Sequence, residues 1–309
     1  MSNYIKEIEF NSSNACLANC IFCSRPHGVG NRPFMMLDTF GIFIEQLKDI
    51  KCDIIQTSGN GETFLNPYYL EYMLTLKKQF PHIPRWIYNN FSLLDKNKAD
   101  IIVRENLFDK IHVRIDSLQK WVFERNSNLN FELVVENLKY FMGINTKIPL
   151  TVLYNDINVY YNKCKKILNK RPIRDYYTDE ELKRVLDEYE EVKDYFSKLS
   201  KAPIAFCKIN PCLWGERLHA PKNSIAKCPK IEVIKNVIWL LPNGDVTGCC
   251  YDDTQDKFIL GNIHNEHLLT IFNSDKRKEF IKNIENRVYK EYPCTNPLCC
   301  GFSDGMEKK

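Results

Sequence analysis

Apolar and polar positions alternate along the first 155 residues in two rhythms. Ile5–Asn11, Asp53–Thr57, Arg85–Tyr88, Lys110–Ile115 and Pro149–Tyr154 are short and read as strands. Asp38–Ile50, Pro67–Gln79, Asp95–Glu105 and Phe131–Met142 carry apolar residues at helical spacing, with Pro67 in an early helical position. This alternation predicts parallel βα units, and five by residue 155 suit a full or partial barrel. Thr178-Asp179-Glu180-Glu181 reads as a capping box and predicts a helix to about Leu199, with Pro203–Ile209 as a sixth strand. Beyond about Leu213 the βα rhythm stops. Val237–Leu241 and Val246–Cys249 flank Pro242-Asn243-Gly244-Asp245 and predict a hairpin around an Asn-Gly turn. A helix is expected from about Glu266 to Asn286. The boundary near residue 213 divides the chain into 1–212 and 213–309.

Composition changes this picture little, apart from one residue type. The 309 residues are 44% hydrophobic and 27% charged with a net charge of +4. That describes a globular chain with ample core, and the excess is too small to argue for nucleic acid. No apolar run approaches the about 18 residues a membrane span needs. Met1–Phe10 lacks the apolar core of a secretory signal, so the cytoplasm is the expected compartment.

The chain has 13 cysteines, an odd number, so metal or redox chemistry is a better expectation than a disulfide framework. Cys52 and Cys164 lie in apolar-periodic stretches and are expected to be buried side chains. Cys16, Cys20 and Cys23 fall within eight residues, in a loop after the first strand. Three thiolates so close suit one iron–sulfur cluster with an open iron. A zinc site with a distant fourth ligand, or three unrelated thiols, are the competing readings. Cys228, Cys249, Cys294, Cys299 and Cys300 offer a second set, with Cys207 and Cys212 upstream. Four thiolates there would close a cluster suited to electron transfer; zinc and buried thiols are the alternatives.

The Cys16-x3-Cys20-x2-Cys23 triplet resembles the signature of the radical S-adenosylmethionine (radical SAM) superfamily. Ser58-Gly59-Asn60-Gly61-Glu62-Thr63 resembles that family's Gly-Gly-Glu motif, which implies that Gly59, Gly61 and Glu62 bind the methionine amino group. Tyr88-Asn89-Asn90-Phe91 resembles its Thr-Asn-Gly stretch, with Asn90 in the site. Arg114-Ile115-Asp116-Ser117 resembles its fourth-strand ending, with Arg114 and Ser117 toward ribose and carboxylate. Val152–Asn158 resembles the segment near adenine, with Asn155 or Asn158 as the polar contact. Gly244-x4-Cys249, the flanking cysteines and Gly261-Asn262-Ile263 resemble the auxiliary-cluster domains called SPASM or twitch.

The resemblance implies an α/β fold: a partial (β/α)6 TIM-like barrel, then a small α+β SPASM/twitch iron–sulfur domain. It implies a SAM-binding 4Fe-4S cluster on Cys16, Cys20 and Cys23, and at least one auxiliary 4Fe-4S cluster on Cys228, Cys249, Cys294 and Cys299 or Cys300. Cys207 and Cys212 are held for a further cluster or an exchanged ligand. A 5′-deoxyadenosyl radical would take hydrogen from a substrate C–H bond, with a flavodoxin- or ferredoxin-type reductant. Dehydrogenation of a small polar or sugar-like substrate is the expected outcome, with Asp252 or Asp253 as base. The alternatives are epimerisation with Cys250 as hydrogen-atom donor, and modification of a ribosomally made peptide. Only 15 residues precede Cys16, and no fused leader-binding domain is expected. An iron–sulfur electron carrier and a zinc-binding module are the non-catalytic alternatives. His264 and His267 are expected in surface or capping roles. His27 and Trp214-Gly215-Glu216-Arg217 are weaker substrate-contact candidates, Arg217 as an anion or ion-pair partner.

Overall fold

The computed structural model describes residues 2–23, 34–57, 61–168, 176–209, 231–249 and 258–286. In chain order these form β1 (Tyr4–Phe10), α1 (Leu37–Leu47), β2 (Lys51–Gln56), α2 (Tyr69–Gln79), β3 (Arg85–Asn89), α3 (Lys96–Glu105) and β4 (Lys110–Arg114). There follow α4 (Lys120–Ser127), α5 (Phe131–Ile144), β5 (Leu150–Asn155), α6 (Ile157–Leu168), α7 (Asp179–Arg184), α8 (Tyr189–Leu199) and β6 (Ile204–Ile209). The last part holds α9 (Ile231–Asn236), β7 (Val237–Leu240), β8 (Asp245–Thr247), β9 (Ile259–Asn262), α10 (Leu268–Asn273) and α11 (Asp275–Glu285). Two compact units divide the chain: Met1–Ala15, Ser24–Pro84 and Glu216–Lys309 in one, Cys16–Cys23 and Arg85–Gly215 in the other.

In the first unit β1 is flanked by parallel partners on both sides, β2 and β7, and β7 continues into antiparallel β8 and β9. One face of β1 is apolar. Phe10 packs on Phe40 and Phe43 of α1 and on Tyr72 of α2, with ring centroids 5.4–6.1 Å apart. Each such buried ring contributes about 1.5–3 kcal/mol. The Tyr72 hydroxyl donates to Met35 O at 2.7 Å, so the polar tip of a fully buried ring is satisfied.

The other face of the same strands mixes apolar residues such as Ile5 and Val237 with a polar cluster. Gln56, Glu9 and Trp239 are cross-strand neighbours, and Trp239 Nε1 donates to Glu9 Oε2 at 2.7 Å. Burial pushes the Glu9 carboxyl up to about 8; the Trp239 bond opposes this and Glu7 adds to it. A carboxyl that holds its proton more tightly when folded stabilises fully below its unfolded pKa. That stability is lost as the pH rises through 8. Glu9→Gln is therefore expected to gain about 3 kcal/mol on the wild type between pH 5 and pH 9, in urea denaturation at each pH. A difference that does not change with pH would refute the assignment.

In the second unit β3, β4, β5 and β6 run parallel in that order. The end of β3 is shaped by two side-chain turns. Asn89 Oδ1 accepts from Phe91 N, and Asn90 Oδ1 accepts from Ser92 N. They hold Phe91 at φ 61°, a conformation that favours glycine. Phe91 tolerates it because its ring is fully buried and meets Phe141 edge-on at 5.5 Å.

Four expectations need correction. Pro67 lies outside α2, ahead of Tyr68 at the N-cap. The helix from Thr178 does begin with a capping box but breaks into α7 and α8. The gap buries Val185, whose carbonyl accepts from Asn158 Nδ2, and it turns Glu188 inward. The helix expected over 266–286 is two helices, because Ser274 accepts from Arg277 N and caps the second. In the hairpin Pro242 and Asn243 take the middle of the turn and Gly244 follows at φ 86°. Gly244 N donates to Leu241 O, so the glycine sits where a hairpin bulge needs a left-handed residue.

Candidate functional site

The cysteine loop belongs to the second unit and is tied down by backbone bonds. Asn19 N donates to Ser127 O and Ile21 N to Asn126 O, both at the end of α4, and Cys23 N donates to Cys20 O. Tyr160 OH of α6 donates to Ile21 O at 3.3 Å, and its ring meets Phe22 edge-on. The loop is thus held at four residues between Asn19 and Cys23.

Arg114, the last residue of β4, lies against this loop. Its guanidinium stacks on the Phe22 ring, 3.5 Å from the centroid. Below, it forms a fork with Asp116: Nε to Oδ1 at 2.9 Å and Nη2 to Oδ2 at 3.1 Å. Asn155, at the end of β5, donates to the same Asp116 Oδ1 at 3.0 Å. Burial alone would lower the Arg114 pKa; Asp116, then Cys20, more than offset this and hold it up.

Cys20 is pushed up to about 12 by burial, opposed by Arg114 and reinforced by Cys23, Asp116 and Cys16. Among the described residues, no group of three His, Cys, Asp or Glu side chains is disposed to hold a metal ion. The three cysteines nevertheless share one electrostatic field, and none is in a disulfide. Three thiols in a short anchored loop, with a half-buried cation beside them, are a donor set that fits an iron–sulfur cluster.

The glycine-rich segment belongs to the first unit. Gly61 packs on the backbone that leads into the cysteine loop. A Cβ there would overlap Ser13 O and stand 2.6 Å from Ala15 O. Glu62 N donates to that same Ala15 O at 2.6 Å, and the Glu62 side chain is 3% exposed. Only glycine admits this approach, whatever is bound nearby.

The structure therefore brings Arg114, Asn155 and the Cys16–Cys23 loop together, and separately seats Gly61 and Glu62 against Ala15. Asn90 is engaged in the turn after β3. Ser117 is buried, and its hydroxyl donates to Glu188, which also accepts from Leu118 N at 3.0 Å. Cys249 is buried just after β8, beside Gly248, where a Cβ would stand 2.6 Å from the Phe280 ring. Cys207 is exposed on β6. Cys164 is fully buried, and Cys52 is half-buried with its thiol donating to Ile54 O. His267 Nδ1 accepts from Leu269 N and caps α10, while His264 Nε2 meets Thr39 Oγ1 at 3.0 Å. His27, Gly59, Cys212, Trp214, Gly215, Glu216, Arg217, Cys228, Cys250, Asp252, Asp253, Cys294, Cys299 and Cys300 lie outside the described residues.

Sequence reasoning did not select Asp116 or Glu188. Asp116 lies inside a quoted motif, yet only the folded chain shows that it joins Arg114 to Asn155. Glu188 sits in a stretch whose charge reads as a solvated helix face, and nothing local marks it as the one that turns inward.

Comparison with known proteins bears on this arrangement. Residues 228–300 match the family model SPASM, described as an iron–sulfur cluster-binding domain. No curated protein matches the chain. Among solved structures, BtrN in complex with AdoMet and 2-DOIA is 16% identical, with a TM-score of 0.57 over 96% of this chain and 94% of its own. Streptococcus suis SuiB bound to precursor peptide SuiA is 15% identical, with a TM-score of 0.59 over 91% of this chain and 67% of its own. Native anSMEcpe with bound AdoMet is 16% identical, with a TM-score of 0.56 over 89% of this chain and 83% of its own. At these identities the likeness shows the fold, an α/β partial barrel. No helix among the described residues is long and apolar enough to cross a membrane. The chain thus carries a C-terminal segment that matches the SPASM model, on an α/β fold shared with these solved structures.

Proposed function

We propose that the protein is a radical SAM enzyme that oxidises a small, polar, sugar-like substrate. The reading rests chiefly on one observation: Cys16, Cys20 and Cys23 lie in one short loop bonded to the end of α4, with the Arg114 guanidinium stacked on its Phe22 ring. Cys16, Cys20 and Cys23 would hold the 4Fe-4S cluster that binds S-adenosylmethionine. Gly59, Gly61 and Glu62 would receive its amino group, and Arg114, Ser117 and Asn155 its ribose, carboxylate and adenine side. When bound, these cofactors supply a 5′-deoxyadenosyl radical that removes a substrate hydrogen atom, and a SPASM cluster supplies an acceptor for the electron then released. Cys228, Cys249, Cys294 and Cys299 or Cys300 would hold that cluster, in a domain beginning near residue 213. Asp252 would take the proton.

The chain's own residues order the site in stages. Ile21, Phe22 and Tyr160 close one side of the cysteine loop against water. Arg114 keeps a positive charge beside the cysteine loop, fixed in direction by its two bonds to Asp116. BtrN, solved with AdoMet and 2-DOIA, supports the small-substrate reading by its length, since this chain covers 94% of it. SuiB, solved with a precursor peptide, supports a peptide substrate as the second reading.

The test is anaerobic. The protein is reconstituted with iron and sulfide, reduced and given S-adenosylmethionine, beside Cys20→Ala. Release of 5′-deoxyadenosine by the wild type alone is expected. No release from a wild type whose clusters are filled would sink the proposal in favour of an electron carrier.

A further inference from the structure

The sheet of the first unit carries a polar cluster that the proposed cofactor sites leave unused. Glu9, Gln56 and Trp239 are cross-strand neighbours on β1, β2 and β7, three strands that run parallel. Each stands last or next to last in its strand. Parallel α/β sheets bind their ligands at that end, where the chain leaves the strands for the loops. Here the loop after β1 reaches Cys16 seven residues beyond Glu9, and the glycine-rich segment starts at Ser58, two residues beyond Gln56.

The cluster holds one carboxylate oxygen and leaves the other open. Trp239 Nε1 donates to Glu9 Oε2 at 2.7 Å, and Gln56 Nε2 donates to the same oxygen at 3.4 Å. Among the described residues nothing bonds Glu9 Oε1. That oxygen is not enclosed by protein, and Glu9 and Gln56 are both half-buried, so a ligand reaches it without any side chain moving aside. The Trp239 ring, 4% exposed, is a fixed wall beside it.

What the cluster lacks is a cation. Glu7 lies two residues from Glu9 on the same face, about 6.6 Å away, and is half-buried too. Burial pushes both carboxyls up, Glu9 to about 8. Among the described residues neither forms an ion pair. A carboxylate withdrawn from water without a counter-charge costs stability, which the Glu9→Gln substitution above is expected to recover. A chain that needed only an acceptor for Trp239 would do better with glutamine. An acid kept at that cost fits a positive charge that arrives with a ligand. The two donors on Oε2 serve the same state, because they favour the ionised carboxylate.

We infer that Glu9 is an ammonium-binding residue of the substrate site, whose open Oε1 takes a protonated amine while Trp239 and Gln56 fix the carboxylate and Glu7 adds negative potential. The ligand class is an aminated sugar or cyclitol, since a hydroxyl brings no charge to offset the carboxylate. The inference deepens the small-substrate reading above and rests on it for the size of the ligand.

The test is ligand-observed NMR on the reconstituted full chain with S-adenosylmethionine and no reductant. The probes are two pairs, D-glucosamine with D-glucose and 2-deoxystreptamine with myo-inositol. At least one amine is expected to bind the wild type about tenfold more tightly than its hydroxyl counterpart, the worth of one charge-assisted hydrogen bond. Glu9→Gln keeps the size of the side chain and an acceptor for Trp239, and it should abolish that preference. A urea midpoint no lower than that of the wild type shows that the loss is not unfolding. The inference fails if no amine binds, if the hydroxyl counterpart binds as tightly, or if Glu9→Gln retains the preference. Release of 5′-deoxyadenosine is read separately, with reductant. Release without amine binding sinks this inference alone, and amine binding without release sinks the proposed reaction alone.

Discussion

Gly61→Ala is expected to destabilise the protein by about 3 kcal/mol and to empty the cluster site proposed for Cys16, Cys20 and Cys23. The added methyl would overlap Ser13 O and crowd Ala15 O, which are backbone atoms and cannot rotate away. The segment would have to retreat, and Glu62 N would lose its bond to Ala15 O. That carbonyl precedes Cys16, so the retreat moves the first thiol of the triplet. Two measurements separate the effects. Urea denaturation of the unreconstituted protein reads the strain, and iron and sulfide per chain after reconstitution read the site. Iron is expected to fall by roughly half, since the C-terminal cysteines are untouched. An unchanged denaturation midpoint with full iron would show that the close approach has no consequence.

Arg114→Leu is expected to cost about 3–5 kcal/mol, the effect of leaving a buried charge without its partner. Asp116 is 3% exposed and takes two of its three side-chain bonds from Arg114. Leucine would keep much of the packing on Phe22 and remove both bonds. The second substitution is the informative one. Arg114→Leu with Asp116→Leu removes the stranded carboxylate and is expected to recover a large part of the loss in the same urea series. No recovery would mean that Arg114 acts through its packing on Phe22 and not through the ion pair. Asp116→Leu alone should also be costly, because it strands the guanidinium over the Phe22 ring.

Much of the fold is legible in the sequence because buried parallel strands are short runs of Ile, Val and Phe between polar helices. β1 to β6 were all visible in that pattern. The misses have local causes. β9 contains Gly261 and Asn262, two poor strand formers, and depends on pairing with β8. α4 is bounded by polar residues on both sides and shows no apolar stripe long enough to count. The two broken helices fail at residues with outside obligations: Val185 and Glu188 turn inward, and Ser274 starts a new helix. For the candidate site, the cysteine triplet and the glycine-rich segment stand out in the sequence because their residue types are scarce and closely spaced. The role of Asp116 in joining Arg114 to Asn155 does not. A polar residue on the inner face of a buried strand follows the same alternation as one facing solvent, and only the packed sheet tells the two apart.

The pairing of β1 with β7 sets an order on the making of the protein. Glu7 and Val237 are register partners although 230 residues separate them in the chain. At roughly 5–20 residues per second, the ribosome completes β1 on the order of 10 to 50 s before its second neighbour exists. For that interval one edge of β1 offers its backbone donors and acceptors to any extended segment nearby, including the same strand of another nascent chain. The polar residues Lys6, Glu7 and Glu9 in the middle of an otherwise apolar strand act against such self-pairing, since like charges would be brought side by side. The segment matched to the SPASM family thus supplies β1 with its second neighbour, and a nascent chain that stops before residue 237 carries an open β1 edge.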